Sequence, residues 1–535
     1  MSLLRPIATV GGLTLVSRML GFVRDILIAA ILGAGLVADC FFVAFKIPNF
    51  FRRLFAEGAF SAAFVPMFSE LLARDKAAGT QSARAFAENA LALLLLVLLL
   101  FVVALQVAMP WAMYGLAPGF VGNQEKFDLA VALTRLTFPY LIFISLVSLF
   151  GGVLNSLHRF AAVAFTPVLM NLSLIAAVTL LARYTETPGH ALAWGVAGAG
   201  VVQFVWLCRA LRGAGFMLRL PRPRLNSQMK QFLRLMIPGA IGAGVTQINL
   251  LIDVLLASLL PDGSLSYLFY ADRLNQLPMG VVGIAVGTAL LPLMSRLIAI
   301  DDEAGAVQSQ NRALETSMLL TIPAAVALAV VALPIITILF ERGAFDTAAS
   351  GATAAALMAY AVGLPAYVAI KVLVPGFFAR KDTATPVRIA IAAVGINLIL
   401  NLLLIGPLAH VGLALATALS AWVNAGLLLV ILYRRGNFAI DARLASRLPR
   451  ILLAAAVMGA GLWLLNDTMI DEFQYMDGPL AVRVGGLVGL VVGGIALYAV
   501  AALLFGAVKR ADLKAVIERS VDQSEQKSDK PADLN

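Results

Sequence analysis

The chain has 535 residues, 61% hydrophobic and 13% charged, with a formal net charge of +10 and a mean hydropathy of +0.91. Soluble globular proteins carry about 45–50% apolar and about 25% charged residues, so this composition excludes a soluble enzyme and specifies an all-α polytopic membrane protein. Cys40 and Cys208 give neither a disulfide framework nor a metal pattern, and the basic excess is assigned to membrane-flanking loops rather than to a nucleic-acid surface.

Apolar runs of about 20 residues predict fourteen spans, at 7–33, 38–68, 88–112, 128–156, 161–182, 190–211, 232–259, 266–297, 313–340, 352–379, 385–407, 410–433, 450–467 and 480–507. The first run is not a cleavable signal peptide, because Arg18 and Arg24 interrupt it. The second, fourth and eighth exceed the bilayer thickness and are expected to tilt, kink or protrude. Pro48, Pro139, Pro278, Pro334 and Pro365 fall inside spans, where neighbouring helices must satisfy the backbone groups they free. His158, His190 and His410 are scattered near span ends and are read as structural.

Alternate loops differ in charge. The connection after the sixth span carries Arg209, Arg212, Arg219, Arg222, Arg224, Lys230 and Arg234, that after the tenth Arg380 and Lys381, and that after the twelfth Arg434, Arg435, Arg443, Arg447 and Arg450. On the other side, 113–127 holds only Lys126, and 260–265 and 467–479 hold no lysine or arginine. Basic loops face the cytoplasm, which puts both termini there. The tail is polar, expected to begin as a short surface helix and then to be disordered.

The chain matches itself at a shift of 226: Asn49 falls on Asn275, Pro66 on Pro292, Pro139 on Pro365 and Asn171 on Asn397. Spans one to six therefore repeat as spans seven to twelve in the same orientation, with a site expected at a central cavity between the lobes near the midplane. The resulting divisions are an N-lobe at 1–212, a cytoplasmic basic linker at 213–231, a C-lobe at 232–434, accessory spans thirteen and fourteen at 435–507, and a cytoplasmic tail at 508–535. No connection is long enough for a catalytic domain. No phosphate-cradling glycine loop is present for ATP hydrolysis, which leaves an ion gradient or voltage as the energy source.

Charges at membrane depth cost about 2.5–3.5 kcal/mol each on insertion scales and mark function by default. Spans one, two and eight contain Arg18, Arg24, Lys46, Arg52, Arg53 and Arg273 against Asp25, Glu57 and Asp272, with Asp39 at the outer edge. On ideal helices Arg18 and Asp25 share one face and Asn49, Arg53 and Glu57 another, with Arg24 and Arg52 about 100° away. Pairing within the set accounts for some of these charges and leaves surplus cations, whose guanidinium forks suit phosphate. The ligand is therefore anionic, and a diphosphate is the natural match.

The stretches Ser17-Arg18-Met19-Leu20-Gly21-Phe22-Val23-Arg24-Asp25, Phe42-Val43-Ala44-Phe45-Lys46-Ile47-Pro48-Asn49, Arg52-Arg53-Leu54-Phe55-Ala56-Glu57-Gly58-Ala59-Phe60-Ser61 and Tyr270-Ala271-Asp272-Arg273-Leu274 resemble the signatures of the MurJ (MviN) family of lipid II flippases, within the multidrug/oligosaccharidyl-lipid/polysaccharide exporter superfamily. The resemblance spans residues 1 to about 507. It implies a transporter, not an enzyme. The cargo it implies is lipid II, the undecaprenyl-diphosphate-linked disaccharide-pentapeptide, moved from the cytoplasmic to the periplasmic leaflet of the bacterial inner membrane for cell wall synthesis. By the same resemblance Arg18, Arg24, Arg52 and Arg273 hold the diphosphate in the cavity. Asp25, Asp39, Lys46, Asn49, Arg53, Glu57 and Asp272 line or gate it, and the accessory spans take the lipid tail. It also implies a sodium site at Asp253, Asn397, Asn401 and Thr417, where Asn401 replaces a carboxylate found in some members; no other cofactor is expected. The partners are lipid II and membrane lipids, with no nucleic acid, and a monomer is expected.

The rival readings are an exporter of another polyprenyl-diphosphate glycan or a multidrug/cation antiporter of the same superfamily, an intramembrane enzyme, and a scaffold. A cation exporter would show unpaired carboxylates rather than surplus arginines. An enzyme would need a catalytic base or paired carboxylates at a loop mouth, and a scaffold would keep its arginines fully paired.

Overall fold

A computed structural model describes residues 4–53, 59–74, 76–471 and 478–508. Glu57 and the tail from residue 509 lie outside the described residues. The helices are, in order, α1 (Leu4–Leu32), α2 (Leu36–Arg52), α3 (Ala59–Ala73), α4 (Lys76–Leu116), α5 (Gln124–Thr137), α6 (Tyr140–Ser156), α7 (Phe160–Ala164), α8 (Thr166–Ala176) and α9 (Pro188–Gly213). The second series is α10 (Ser227–Ser258), α11 (Ser264–Ala299), α12 (Glu303–Val330), α13 (Ala332–Phe340), α14 (Thr347–Phe378), α15 (Ala384–Arg434), α16 (Ala442–Asp471) and α17 (Leu480–Leu504). No strand occurs among the described residues. Nine helical segments among them are long and apolar enough to cross a membrane.

Each predicted apolar run falls on helix. The run at 38–68 is carried by two helices, with α2 ending at Arg52 and α3 beginning at Ala59. The run at 128–156 is likewise two helices, α5 and α6, that meet at Pro139. The runs at 385–407 and 410–433 form α15 without a loop between them; the break is a kink at Ala409, with φ 47° and ψ −128°. Pro407 supplies its cause, since proline removes a helical N–H and clashes with the preceding turn. The 226-residue shift also holds for the elements. Adding it to α1 gives 230–258, on α10; adding it to α4 gives 302–342, on α12 and α13; and adding it to α8 and α9 gives 392–402 and 414–439, on the two arms of α15.

The chain forms two compact units. Unit 1 comprises Met1–Tyr270 and Leu339–Ala352, and unit 2 comprises Ala271–Ile338 and Thr353–Asn535. Within unit 1, α2 packs on α5 and α9, α6 on α9, α8 on α1 and α9, and α3 on α10. Rings from α3, α4 and α10 interlock, with centroids 5.4 Å apart for Phe60–Phe232 and 5.5 Å for Phe64–Phe86. The turn after α1 touches the 341–346 segment through backbone alone. Ala344 N–H donates to the Ala30 carbonyl at 2.8 Å, and a Cβ on Gly33, at φ +68°, would sit 2.3 Å from the Ala344 oxygen. Only glycine meets both demands.

The basic linker is an ordered strap held by α4. Arg84 Nη2 donates to the Gly215 carbonyl at 2.9 Å, and Glu88 accepts the Arg219 N–H at 2.9 Å. Asn89 closes two bonds with the Arg224 backbone, at 2.6 and 2.8 Å. With its backbone satisfied in this way, the strap leaves the side chains of Arg219, Arg222 and Arg224 exposed.

Within unit 2, α16 packs on α12 and α17. Glu315, 7% exposed at its side chain, is paired by Arg312, by Arg447 and, at 3.1 Å, by Arg443. Arg312 also pairs with Asp441, which caps α16 by accepting the Leu444 N–H at 2.7 Å. Desolvating a lone carboxylate costs several kcal/mol; three guanidiniums offset that cost and fasten α16 to α12. In the loop before α15, the Thr385 side chain and backbone, followed by Arg435, hold the Asp382 carboxyl well below the usual range.

Candidate functional site

The site residues of the first repeat start from a polar stripe on α1. Ser17, Gly21, Arg24 and Asp25 recur at helical spacing, and the first three meet Asn171 on α8. Arg24 Nε and Nη2 donate to Asp25 Oδ1 at 2.9 and 2.7 Å, and Arg24 Nη1 donates to Asn171 Oδ1 at 2.8 Å. Asn171 Nδ2 donates to the Ser17 carbonyl at 2.8 Å and to its hydroxyl at 3.3 Å. Arg24 is 8% exposed and Asp25 3%. Arg18 is exposed on the same helix. Arg18 and Asp25, seven residues apart on α1, differ in exposure along the helix: α1 is largely exposed over 9–20 and buried at Arg24 and Asp25, and it packs on α8.

On α2, Asn49 Nδ2 bonds back to the Phe45 carbonyl at 2.7 Å, and its Oδ1 accepts Arg52 Nε at 3.1 Å. Arg52 and Lys46 are half-buried, and Arg53 is exposed one residue past the helix end. Asn49 is thus coupled to Arg52, three residues on. The Glu57 end of that expected stripe lies outside the described residues.

Asp39 has a role that its position at the outer edge did not reveal. It is 1% exposed. Its carboxylate accepts the Gly263 N–H at 2.8 Å and the Ser266 N–H and hydroxyl at 3.0 and 2.7 Å. It thereby caps the N-terminus of α11, where orphan amides and the helix dipole favour an anion. Lys126 Nζ lies 3.4 Å from Asp39 and 2.6 Å from Asp262, and 4.1 Å over the Phe120 ring. Sequence reading treated Lys126 as a loop charge; the available signal was the turn Pro261-Asp262-Gly263 ahead of a helix, but nothing in the sequence pairs it with residue 126.

Asp272 and Arg273 stand half-buried on the part of α11 that belongs to unit 2, and Asp272 accepts a bond from Gln276 one turn on. Arg18, Arg24 and Arg52 belong to unit 1.

Three of the four residues expected to hold sodium, Asn397, Asn401 and Thr417, belong to unit 2 and lie together across the kink of α15. Asn401 Nδ2 donates to Asn397 Oδ1 at 3.0 Å. Asn397 Nδ2 lies 3.5 Å from the Thr417 hydroxyl and 3.4 Å from that of Ser420. Asn397 and Asn401 are 1% and 0% exposed. The set supplies neutral oxygens suited to a hard cation. Asp253 is on α10, in unit 1. No cluster of three or more histidine, cysteine or acidic side chains suited to a metal occurs among the described residues.

The profile of a family described as lipid II flippase MurJ matches residues 28–482. A probable lipid II flippase MurJ of Rhizobium meliloti (strain 1021) is 43% identical over 529 residues, covering 98% of each chain. The lipid II flippase MurJ of Burkholderia cenocepacia is 38% identical over 82% of this chain and 85% of its own. Among solved structures, a lipid II flippase MurJ in an inward closed conformation superimposes with a TM-score of 0.78 at 26% identity, over 93% of this chain and 98% of its own. An inward-facing multidrug-resistance transporter of the MATE family gives 0.65 at 15% identity over 78% and 94%, a likeness of fold alone.

Proposed function

The chain belongs to the lipid II flippase MurJ family, and from that premise we propose how it works. It is a multi-pass bacterial membrane transporter, not an enzyme, and it flips lipid II from the cytoplasmic to the periplasmic leaflet for peptidoglycan synthesis. The full-length relationship to named flippases carries this conclusion. The test is complementation of a flippase-depleted bacterium with lipid II tracked by leaflet; cells that fail to grow while this protein is inserted would refute it.

In the proposed mechanism the carrier alternates access and its arginines hold the cargo's diphosphate. Arg18, Arg24, Arg52 and Arg273 are the assigned ligands. Arg24 is the best supported, because three of its five N–H groups are fixed by Asp25 and Asn171 and one N–H remains on each terminal nitrogen. An oriented fork of this kind suits a phosphate oxygen pair. Both termini are assigned to the cytoplasm. Cysteines placed in 213–230 and 434–449 should then be shielded from an impermeant thiol reagent in intact cells, while those in 113–127 and 467–479 label.

The cargo is an anion and the bacterial interior is negative, so outward transport runs with the field, by about 2.3 kcal/mol per net charge per 100 mV. Unloaded arginines returning inward also follow the field. Collapse of the potential with the pH and sodium gradients kept should halt flipping and load the inner leaflet. A sodium ion at Asp253, Asn397, Asn401 and Thr417 is assigned as a modulator of the return step. Its test is a sodium-dependent rise in melting temperature that Asp253→Ala removes; a parent protein indifferent to sodium makes the group structural.

A further inference from the structure

We propose that Asn171 is a positioning residue for cargo binding, acting through Arg24 and conferring preference for a diphosphate-linked cargo. The proposal rests on the flippase reading and extends it to a residue on α8 outside the charged motifs of spans one, two and eight.

The geometry is one of forced orientation. Asn171 is 6% exposed, so its amide must find partners within the chain. The Ser17 carbonyl, 2.8 Å from Nδ2, takes only a donor. That fixes which end of the amide is which, and it leaves Oδ1 aimed at Arg24 Nη1, 2.8 Å away. Side chains on a helix lean toward its N-terminus, so Arg24 reaches back along α1 toward the level of Gly21. There the missing side chain leaves a slot: a Cβ on Gly21 would meet Asn171 Nδ2 at 3.5 Å, an ordinary contact, and anything longer would displace the amide. Ser17, Gly21 and Arg24 thus form one seat for Asn171.

That seat holds the guanidinium in a single rotational setting. Asp25 binds one edge, through Nε and Nη2 to a single oxygen. Without Asn171 the Arg24 side chain can pivot about that oxygen, and Nη1 has a buried, unmade bond. With Asn171 the plane is fixed, and one N–H remains on each terminal nitrogen for the cargo. A fixed plane matters for a bidentate phosphate contact and is irrelevant to an ammonium, which is a point charge with rotatable donors. The contribution of Asn171 therefore exists only while residue 24 is arginine.

The test is a double-mutant cycle in proteoliposomes, measuring initial flipping rate against lipid II mole fraction for the parent, Asn171→Ala, Arg24→Lys and the pair, with melting temperatures recorded for all four. Asn171→Ala should raise the half-saturating lipid II fraction about ten-fold, as expected for one hydrogen bond to a charged group, with the maximal rate within about two-fold. In the Arg24→Lys background the same substitution should change it less than about two-fold. Asn171→Asp keeps the size but adds a carboxylate beside Arg24 that competes with the phosphate, and it should weaken binding further; it also serves where the alanine variant fails to insert. Equal losses in the arginine and lysine backgrounds would show a packing role only and overturn the proposal, as would an unchanged half-saturating fraction for both Asn171 variants. A parent protein that does not flip lipid II would instead overturn the flippase reading, so the two failures are separable.

Discussion

Asn171 and Asn397 occupy the same place in the two repeats, 226 residues apart, and do different things. In the first repeat Asn171 reaches across to α1 and holds Arg24 against Asp25. The positions of Arg24 and Asp25 plus 226 are Leu250 and Leu251, so the second repeat carries no ion pair at the matching positions. The polarity has moved instead to α15, where Asn401, Thr417 and Ser420 stand at the counterparts of Ile175, Ala191 and Trp194. At this position the first repeat thus carries a cation covalently, as the Arg24 guanidinium. The second presents neutral amides and hydroxyls there, groups suited to a small ion, and its own assigned guanidinium, Arg273, stands elsewhere, on α11. Duplication preserved the helices and one buried amide, and the neighbours of that amide set its chemistry.

The sharpest way to break this comparison is to make the first repeat resemble the second. Arg24→Leu alone should abolish complementation and cost about 3–5 kcal/mol of stability, because it removes the guanidinium bonded to a buried carboxylate. Adding Asp25→Leu should recover most of that stability, since two apolar side chains replace a buried pair at little cost, while flipping stays lost. Thermal melts beside leaflet-resolved lipid II assays decide it; flipping by the double variant would mean that the guanidinium is not the functional difference between the halves.

A smaller effect is expected at the helix cap of unit 1. Lys126→Met should destabilise the protein by about 2–3 kcal/mol, because Asp39 and Asp262 lose their shared cation. Asp39→Asn should cost less, since an amide oxygen still accepts from one of the two backbone N–H groups that Asp39 holds. The reverse order would show that the helix N-terminus, and not the lysine, is the main counterpart of Asp39.

Smaller again are the changes in the second repeat. Asn397→Ala should cost about 1–2 kcal/mol, the price of leaving buried partners unmade, and Ser420→Ala about 0.5–1 kcal/mol, since its contact with Asn397 is long, at 3.4 Å. Neither should alter the half-saturating lipid II fraction. A shift in that fraction as large as the one expected for Asn171→Ala would erase the distinction between the halves.

The sequence by itself determined the membrane class, the helical runs, the two-fold repeat and the presence of surplus arginines near the start of the chain. Those properties are written locally, in runs of about 20 apolar residues and in the cost of each charge among them. Some partnerships were local as well: Arg24 with Asp25 is a contact of adjacent residues, and Asn49 with Arg52 one of helical neighbours. Only the tertiary structure decided the rest. Asn171 finds Arg24 from 147 residues away, Asp39 finds Ser266 from 227, and Arg447 finds Glu315 from 132. Such pairs are joined by no periodicity, because a buried polar group is satisfied by whichever donor or acceptor the packing of distant helices brings to it. Sequence can therefore say that a charge in the membrane must have a partner, and folding chooses which residue that is.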